Sequence, residues 1–232
     1  MEWFVQNYLA EYTQRGAVRV LDVGSYDMNG SYKRFFDERF LYTGLDMVAG
    51  PNVDVVPKHI YKWPEIESNS FDVVVSGQTL EHTEFFWVTV AEMARVLRND
   101  GLMCIIVPRS QGFHRHPVDC YRFDTDGMIA LARYCNMLPL HASMNLAPEG
   151  APLDWFIEGF GDAMLVARKP ENWAGLIEMD QYVFQEADIK SLATGFVPQE
   201  RLIHTRVIDS IIYQLNRLNN GLNRLKEKLC FQ

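Results

Sequence analysis

Val18-Arg19-Val20-Leu21-Asp22-Val23-Gly24-Ser25-Tyr26-Asp27 is the stretch whose reading decides the fold. Residues 18 to 23 form a short, valine-rich apolar run that halts at a glycine. A strand buried on both faces of a parallel sheet reads this way, because neither face needs polar residues. Glycine at the stop lacks a β-carbon, so the backbone can turn there with positive φ and another group can approach it closely. In open α/β sheets, ligands bind at the carboxyl ends of strands. The stretch therefore marks the start of such a sheet and a candidate ligand site. Turn geometry alone is the competing reading of Gly24.

Working outward, Phe40–Leu45 reads as a second strand ending at Asp46, residues 53–56 as a short third, and residues 71–76 as a fourth. Residues 102–107 read as a fifth strand, ended by Pro108. Between the last two, residues 83–98 place Phe86, Val90, Met93, Ala94 and Leu97 at helical spacing, and Asn99-Asp100-Gly101 closes them as a turn. Residues 125–136 read as another helix with Thr125 as its cap. Residues 139–145 and 163–167 read as closing strands. Strands alternating with helices at this spacing predict an α/β fold, a doubly wound and mostly parallel sheet. From Lys169 onward the pattern reads as helical. Ile208, Ile211, Leu215, Leu218, Leu222, Leu225 and Leu229 step alternately by three and four, a heptad seam. The expected organisation is one domain over residues 1–168 and a helical carboxyl-terminal extension over 169–232, a candidate lid and oligomerisation helix. The seam reads equally as a face packed on its own domain and as a homodimer contact.

Bulk properties narrow the function. The 232 residues are 48% hydrophobic and 22% charged, an ordinary globular composition. A net charge of -8 disfavours a phosphate-backbone partner, so no nucleic acid is expected. Cys104, Cys120, Cys135 and Cys230 are scattered without a Cys-x-x-Cys pair, which fits a reducing compartment. Met1-Glu2-Trp3-Phe4 lacks a basic stretch leading into an apolar core, and no window approaches the roughly 20 apolar residues of a membrane span. A cytoplasmic location follows as the expectation.

Asp46 lies about 20 residues beyond the glycine turn, where a carboxylate accepts both ribose hydroxyls of a nucleoside ligand. A solvated loop aspartate or a helix cap is the alternative. A dinucleotide site wants Gly-x-Gly-x-x-Gly to seat a pyrophosphate at a helix terminus. Here the residues two and five beyond Gly24 are Tyr26 and Asn29, so a pyrophosphate seat is not expected.

The run Val20 to Ser25, with Asp27 and Asn29-Gly30-Ser31-Tyr32, resembles the first motif of the class I S-adenosylmethionine-dependent methyltransferases. It is most similar to the branch often found with bacterial glycan and surface-polysaccharide biosynthesis genes. The resemblance continues through Tyr42-Thr43-Gly44-Leu45-Asp46, Gly50-Pro51-Asn52-Val53-Asp54-Val55-Val56, Phe71-Asp72-Val73-Val74-Val75-Ser76 and Thr79-Leu80-Glu81-His82. It then takes in Arg95-Val96-Leu97-Arg98-Asn99-Asp100-Gly101 and His114-Arg115-His116-Pro117-Val118-Asp119-Cys120-Tyr121-Arg122-Phe123. The resemblance implies a Rossmann-like fold and S-adenosyl-L-methionine as cofactor. Gly24 with its neighbours Asp22, Ser25, Tyr26 and Asn29 would face the methionine part, Asp46 the ribose, Met47 the adenine, and Ser76 and Gly77 the transferred methyl. One departure stands out: relatives often carry an acidic residue after the third strand, near the adenine amino group, where this chain has Pro57-Lys58-His59.

The segment from His114 to Phe123 should overhang the site, since it follows the fifth strand. Methyl transfer to a hydroxyl needs a base, and histidine suits that task near neutrality. His114 is the first candidate base, with Asp119 to orient it or to bind the acceptor, and His82 is the second base; Glu81 reads as the start of the next helix. Arg115 and Arg122 could hold an acidic acceptor, with Tyr121 beside them. An Asp119–Arg122 structural ion pair, with Tyr121 and Phe123 packing beneath the loop, is the competing reading. His82, His114, His116 and Asp119 match no metal-carrier spacing, so no metal is expected. The leading expectation is O-methylation of a saccharide or glycan-linked precursor, which the family resemblance alone implies. Methylation of another small acceptor, and a binding or scaffold protein with the same fold, are the alternatives.

Overall fold

A computed structural model describes residues 1–28, 30–146 and 161–180, all within one compact unit spanning Met1–Thr194. Among the described residues six strands form a single sheet: β1 (Val18–Val23), β2 (Phe40–Leu45), β3 (Phe71–Gly77), β4 (Leu97–Ser110), β5 (Leu138–Leu146) and β6 (Gly161–Arg168). Their order is β2-β1-β3-β4-β6-β5. The first four run parallel, and β6 lies antiparallel between β4 and β5. Helices α1 (Glu2–Tyr8), α2 (Phe86–Val96) and α3 (Thr125–Tyr134) cover the sheet.

The valine-rich runs are buried on both faces, and the period of two divides their side chains between two cores. Leu21, Val23, Met103, Ile105 and Val107 pack with Val90 and Met93 of α2 and with Met128 and Leu131 of α3. Val18, Val20, Leu102, Cys104 and Ile106 pack on the other face with Phe4 of α1 and with Leu9 and Tyr12. This is the mostly parallel, doubly covered sheet expected from the strand pattern.

Several details depart from the sequence pattern. Residues 53–56 form no strand: Val55 makes an isolated parallel bridge with Leu45. Asp54 is the reason, because its carboxylate takes the Gly44 amide (2.8 Å) while the Asp54 and Val55 amides both fold back on the Gly44 carbonyl. Pro57 then follows with no amide to donate. Pro108 does not end β4, which pairs with β6 as far as Ser110↔Gly161. The pairing with β3 ends at Gly77↔Ile106, so Pro108 sits where only one neighbour remains. Asn99-Asp100-Gly101 falls inside β4 as an irregularity, with Asp100 at φ 59 and its amide on the Lys169 carbonyl. The cap of α3 is Asp124, whose carboxylate accepts from the Thr125 amide, rather than Thr125 itself. Among the described residues the links from β1 to β2 and from β2 to β3 contain no α-helix; the first carries a 3-10 turn at Tyr32–Phe35.

Residues 169–180 are turns that fold back on α3: Trp173 donates its indole N–H to the Cys135 carbonyl, and the Ile177 amide bonds the Tyr134 carbonyl. The heptad seam from Ile208 to Leu229 lies outside the described residues, as does Asn29. Cys104, Cys120 and Cys135 are free thiols. Among the described residues no helix is long and apolar enough to cross a membrane.

Candidate active site

The carboxyl ends of β1, β2 and β3 and the loop after β4 enclose a cavity of about 1410 Å³. At the end of β1, Gly24 has φ +80, and a β-carbon there would stand 2.0 Å from Thr79 Oγ1. The glycine is therefore required twice, by backbone conformation and by the close passage of the segment after β3. The Gly24 and Ser25 amides both bond the Leu45 carbonyl, which ties the turn to the end of β2.

Asp46, at that end, accepts from the Tyr26 amide (3.2 Å) and the Val48 amide (3.1 Å). Each carboxylate oxygen keeps a further lone pair for the cavity. Asp22 is buried: one oxygen takes the Tyr42 hydroxyl, the other has no partner, and burial raises its pKa to about 6, with Asp46 adding to the shift. Tyr26, Met28, Met47, Val48 and Ile60 expose apolar surface around this end. Lys58 is exposed and does not line the cavity; Pro57, Ile60 and Tyr61 line that side. Ser76 is fully buried and donates to the Val23 carbonyl, so its hydroxyl supports β1 while Gly77, Gln78 and Thr79 reach the cavity.

Beyond β3 the chain passes Gln78 at φ 53 and forms a 3-10 turn at Leu80–His82, anchored by the fully buried Leu80. This turn drives the Glu81 side chain inward. Its carboxylate is 0% exposed, neither oxygen has a hydrogen-bond partner, and burial pushes its pKa up to about 7. Glu81 was read from sequence only as a helix start, and the helix begins at Phe86 instead.

The loop after β4 is stapled to that turn. The Cys120 amide bonds the Glu81 carbonyl (2.7 Å), and His82 Nδ1 donates to the Val118 carbonyl (2.5 Å). His114 Nδ1 likewise donates to the Gly112 carbonyl (2.9 Å). These bonds assign both rings the Nδ1–H tautomer, which leaves the Nε2 lone pairs free. The rings of His82 and His114 meet edge to face at 4.9 Å, with His116 at 5.9 Å from His82. Burial lowers the pKa of His82. One potential ligand atom from each of Glu81, His82 and His114 lies within 4.8 Å of the other two.

Other expected residues sit elsewhere. Asp119 accepts two bonds from Arg122, which hold its carboxyl well below the usual range, and a third from the His114 backbone amide. Its oxygen is 3.8 Å from His114 Nδ1, so it positions the backbone of His114 while Gly112 orients the ring. Arg122 also bonds the Gln111 and Gly112 carbonyls and does not line the cavity. Tyr121 gives its hydroxyl to the Glu84 carbonyl and packs on Phe86. Arg115 lies over Phe113. The Asp119–Arg122 ion pair is thus the scaffold of the loop. Among the described residues lining the cavity are Asp22, Asp46, Glu81 and Glu84 but no lysine or arginine.

This acidic lining and the unpartnered Asp22 oxygen fit a cationic nucleoside such as S-adenosylmethionine, with its sulfonium and ammonium, and do not fit a pyrophosphate. Comparison with known proteins agrees. Residues 8–105 match a family model described as a methyltransferase domain. No curated protein matches the chain in sequence. Among solved structures, the chain is similar to the 1,6-didemethyltoxoflavin N1-methyltransferase of Burkholderia thailandensis, solved with S-adenosylhomocysteine bound. That match has TM-score 0.52 and 19% identity, and covers 72% of this chain and 80% of that one. A sarcosine dimethylglycine methyltransferase from Galdieria sulphuraria gives TM-score 0.52 at 15% identity, over 74% and 84% of the two chains. The [4+2]-cyclase SpnF gives 0.51 at 18%, over 70% and 80%, so the fold also carries other chemistry. The chain thus has the class I methyltransferase fold, and its residues 8–105 match the methyltransferase domain model.

Proposed function

We propose that this chain methylates a hydroxyl of a saccharide or glycan-linked acceptor. The observation that carries the reading is the make-up of the cavity: a nucleoside end built by Gly24 and Asp46, and an acceptor end built by His82 and His114. At the first end Asp46 takes the ribose hydroxyls, Asp22 the ammonium, and Met47 with Val48 and Ile60 the adenine. Bound there, S-adenosylmethionine supplies an electrophilic methyl carbon. At the second end His82 and His114 face the acceptor hydroxyl, whose proton must leave as the methyl arrives. Among the described residues the acceptor end is lined by no lysine or arginine, which suits a neutral hydroxyl compound over a phosphorylated one. Phe113, 72% exposed at its rim, and Gln111 beside it offer an apolar face and a hydrogen-bonding amide, the mixture a sugar ring uses.

Calorimetric titration of S-adenosylhomocysteine into wild type and Asp46→Ala tests the cofactor end. Loss of a charged hydrogen-bond partner should weaken binding about 10- to 100-fold. Radiolabelled methyl transfer to a panel of neutral and phosphorylated sugars tests the acceptor end. His114→Gln should lower kcat about 10²- to 10⁴-fold with cofactor affinity unchanged. Transfer restricted to non-sugar or anionic acceptors would sink the saccharide reading.

A further inference from the structure

We propose that Glu81, His82 and His114 form a binding site for a divalent first-row transition metal ion, of the zinc or manganese type, with open positions facing the cavity. Three independent features build it. The Glu81 carboxylate is fully buried and has no partner for either oxygen, an arrangement that costs stability unless a cation completes it. His82 and His114 each donate Nδ1–H to a backbone carbonyl, Val118 and Gly112, the outer contact that orients a metal-ligating imidazole and frees Nε2. The potential ligand atoms lie within 4.8 Å of one another, with His82 Nε2 3.7 Å from Glu81 Oε1. Ligands at about 2.0–2.2 Å from a shared ion stand roughly 3–4 Å apart, so binding draws the three inward by about an ångström.

Two imidazoles and one carboxylate select a transition ion over calcium or magnesium, which prefer oxygen ligands. Other nearby groups do not complete the set. Asp119 is held by Arg122, and the His116 ring stands 5.9 Å from that of His82. Three protein ligands with vacant positions is the pattern of a catalytic ion rather than a structural one. In the methyl-transfer reading, on which this role rests, the acceptor hydroxyl binds the ion and its proton passes to solvent water. The ion then acts as a Lewis acid in place of direct deprotonation by a ring.

The site is tested on the full chain, stripped with chelator and titrated calorimetrically with Zn²⁺, Mn²⁺, Mg²⁺ and Ca²⁺; S-adenosylhomocysteine binding is measured in the same samples. The expected result is saturable one-to-one binding of Zn²⁺ or Mn²⁺. His114→Gln and Glu81→Gln should weaken it by more than the roughly 10- to 100-fold that losing an outer contact costs. His114 lies on the loop, so its variant decides the matter if Glu81→Gln fails to fold. No saturable binding of Zn²⁺ or Mn²⁺, or binding undiminished in His114→Gln, overturns the site. Metal binding without S-adenosylhomocysteine binding supports the site and sinks the methyl-transfer reading instead.

Discussion

Gly24→Ala is the perturbation whose outcome is best defined by the structure. At φ +80 an alanine pays the left-handed penalty of an L-residue, about 1–2 kcal/mol. The new β-carbon also meets Thr79 at 2.0 Å from Oγ1, 2.4 Å from Cγ2 and 2.7 Å from Cβ. Rotating the threonine removes only the first two clashes and breaks its 3.0 Å hydrogen bond to the Gly77 carbonyl. Relieving the third requires the segments after β1 and β3 to move apart, an overpacking cost of about 1–3 kcal/mol. The total is about 2–5 kcal/mol, a fall in melting temperature of roughly 4–20 °C for a chain of this size. Because the displaced turn carries the proposed nucleoside end of the cavity, S-adenosylhomocysteine affinity should fall at least about tenfold. Urea unfolding of Gly24→Ala, Thr79→Gly and the double variant separates the two costs. In the Thr79→Gly background the substitution should cost only the backbone share, leaving a coupling of about 1–3 kcal/mol. A single variant within about 0.5 kcal/mol of wild type refutes the argument. Equal cost in both backgrounds refutes the close-approach half of it.

Other variants probe the charges the fold has buried. Lys169 is 0% exposed, and its ammonium donates to Asn69 Oδ1 and to the Ala94 and Leu97 carbonyls at the end of α2, with Trp173 against it. Lys169→Met leaves three acceptors unpaired and should destabilise by about 2–4 kcal/mol in urea unfolding; a loss below about 0.5 kcal/mol would show that the cap is dispensable. Asp22 has a folded pKa raised by burial to about 6, so the folded state binds more protons between about pH 4 and 6, and the chain loses stability as pH rises through that window. Asp22→Asn should remove this slope and add up to about 3 kcal/mol at pH 7, while weakening S-adenosylhomocysteine binding. Stability that rises in the wild type over the same window, relative to the variant, would contradict the burial argument. Arg122→Gln should release the loop after β4, since Asp119 and the Gln111 and Gly112 carbonyls all depend on it. Faster amide exchange at residues 111–122 is the readout, and unchanged exchange would count against the ion pair as the loop's scaffold.

Much of the sheet was legible because burial on both faces leaves a direct trace in sequence. Val18–Val23 and Phe40–Leu45 appear as strands with the bounds read from their apolar runs, and the core of β3 and β4 likewise. Where the reading failed, a specific hydrogen bond had replaced the regular ladder. Asp54 captured the Gly44 amide and reduced the expected third strand to one bridge. Pro108, read as a stop, is tolerated because β3 has already ended beside it.

For the site, Gly24, Asp46, His82 and His114 were identifiable as residue types at strand ends, and the cavity brings them together. Glu81 was not, because nothing local distinguishes a carboxylate that begins a helix from one turned inward by a 3-10 turn. Arg122 and Asp119 were read both as acceptor contacts and as a structural pair; the structure places them in the pair, since the loop backbone around His114 depends on both.

Sequence by itself determined the sheet, its buried strands and the glycine turn, because period and apolar runs report how each element meets its own surroundings. Tertiary structure alone decided that Glu81, His82 and His114 share one pocket and that Asp119 and Arg122 do not line it. Those placements rest on bonds between segments far apart in the chain, the Cys120 amide to the Glu81 carbonyl and His82 to the Val118 carbonyl. Each ends on a backbone carbonyl, a group common to every residue, so the sequence carries no record of which segment will meet which.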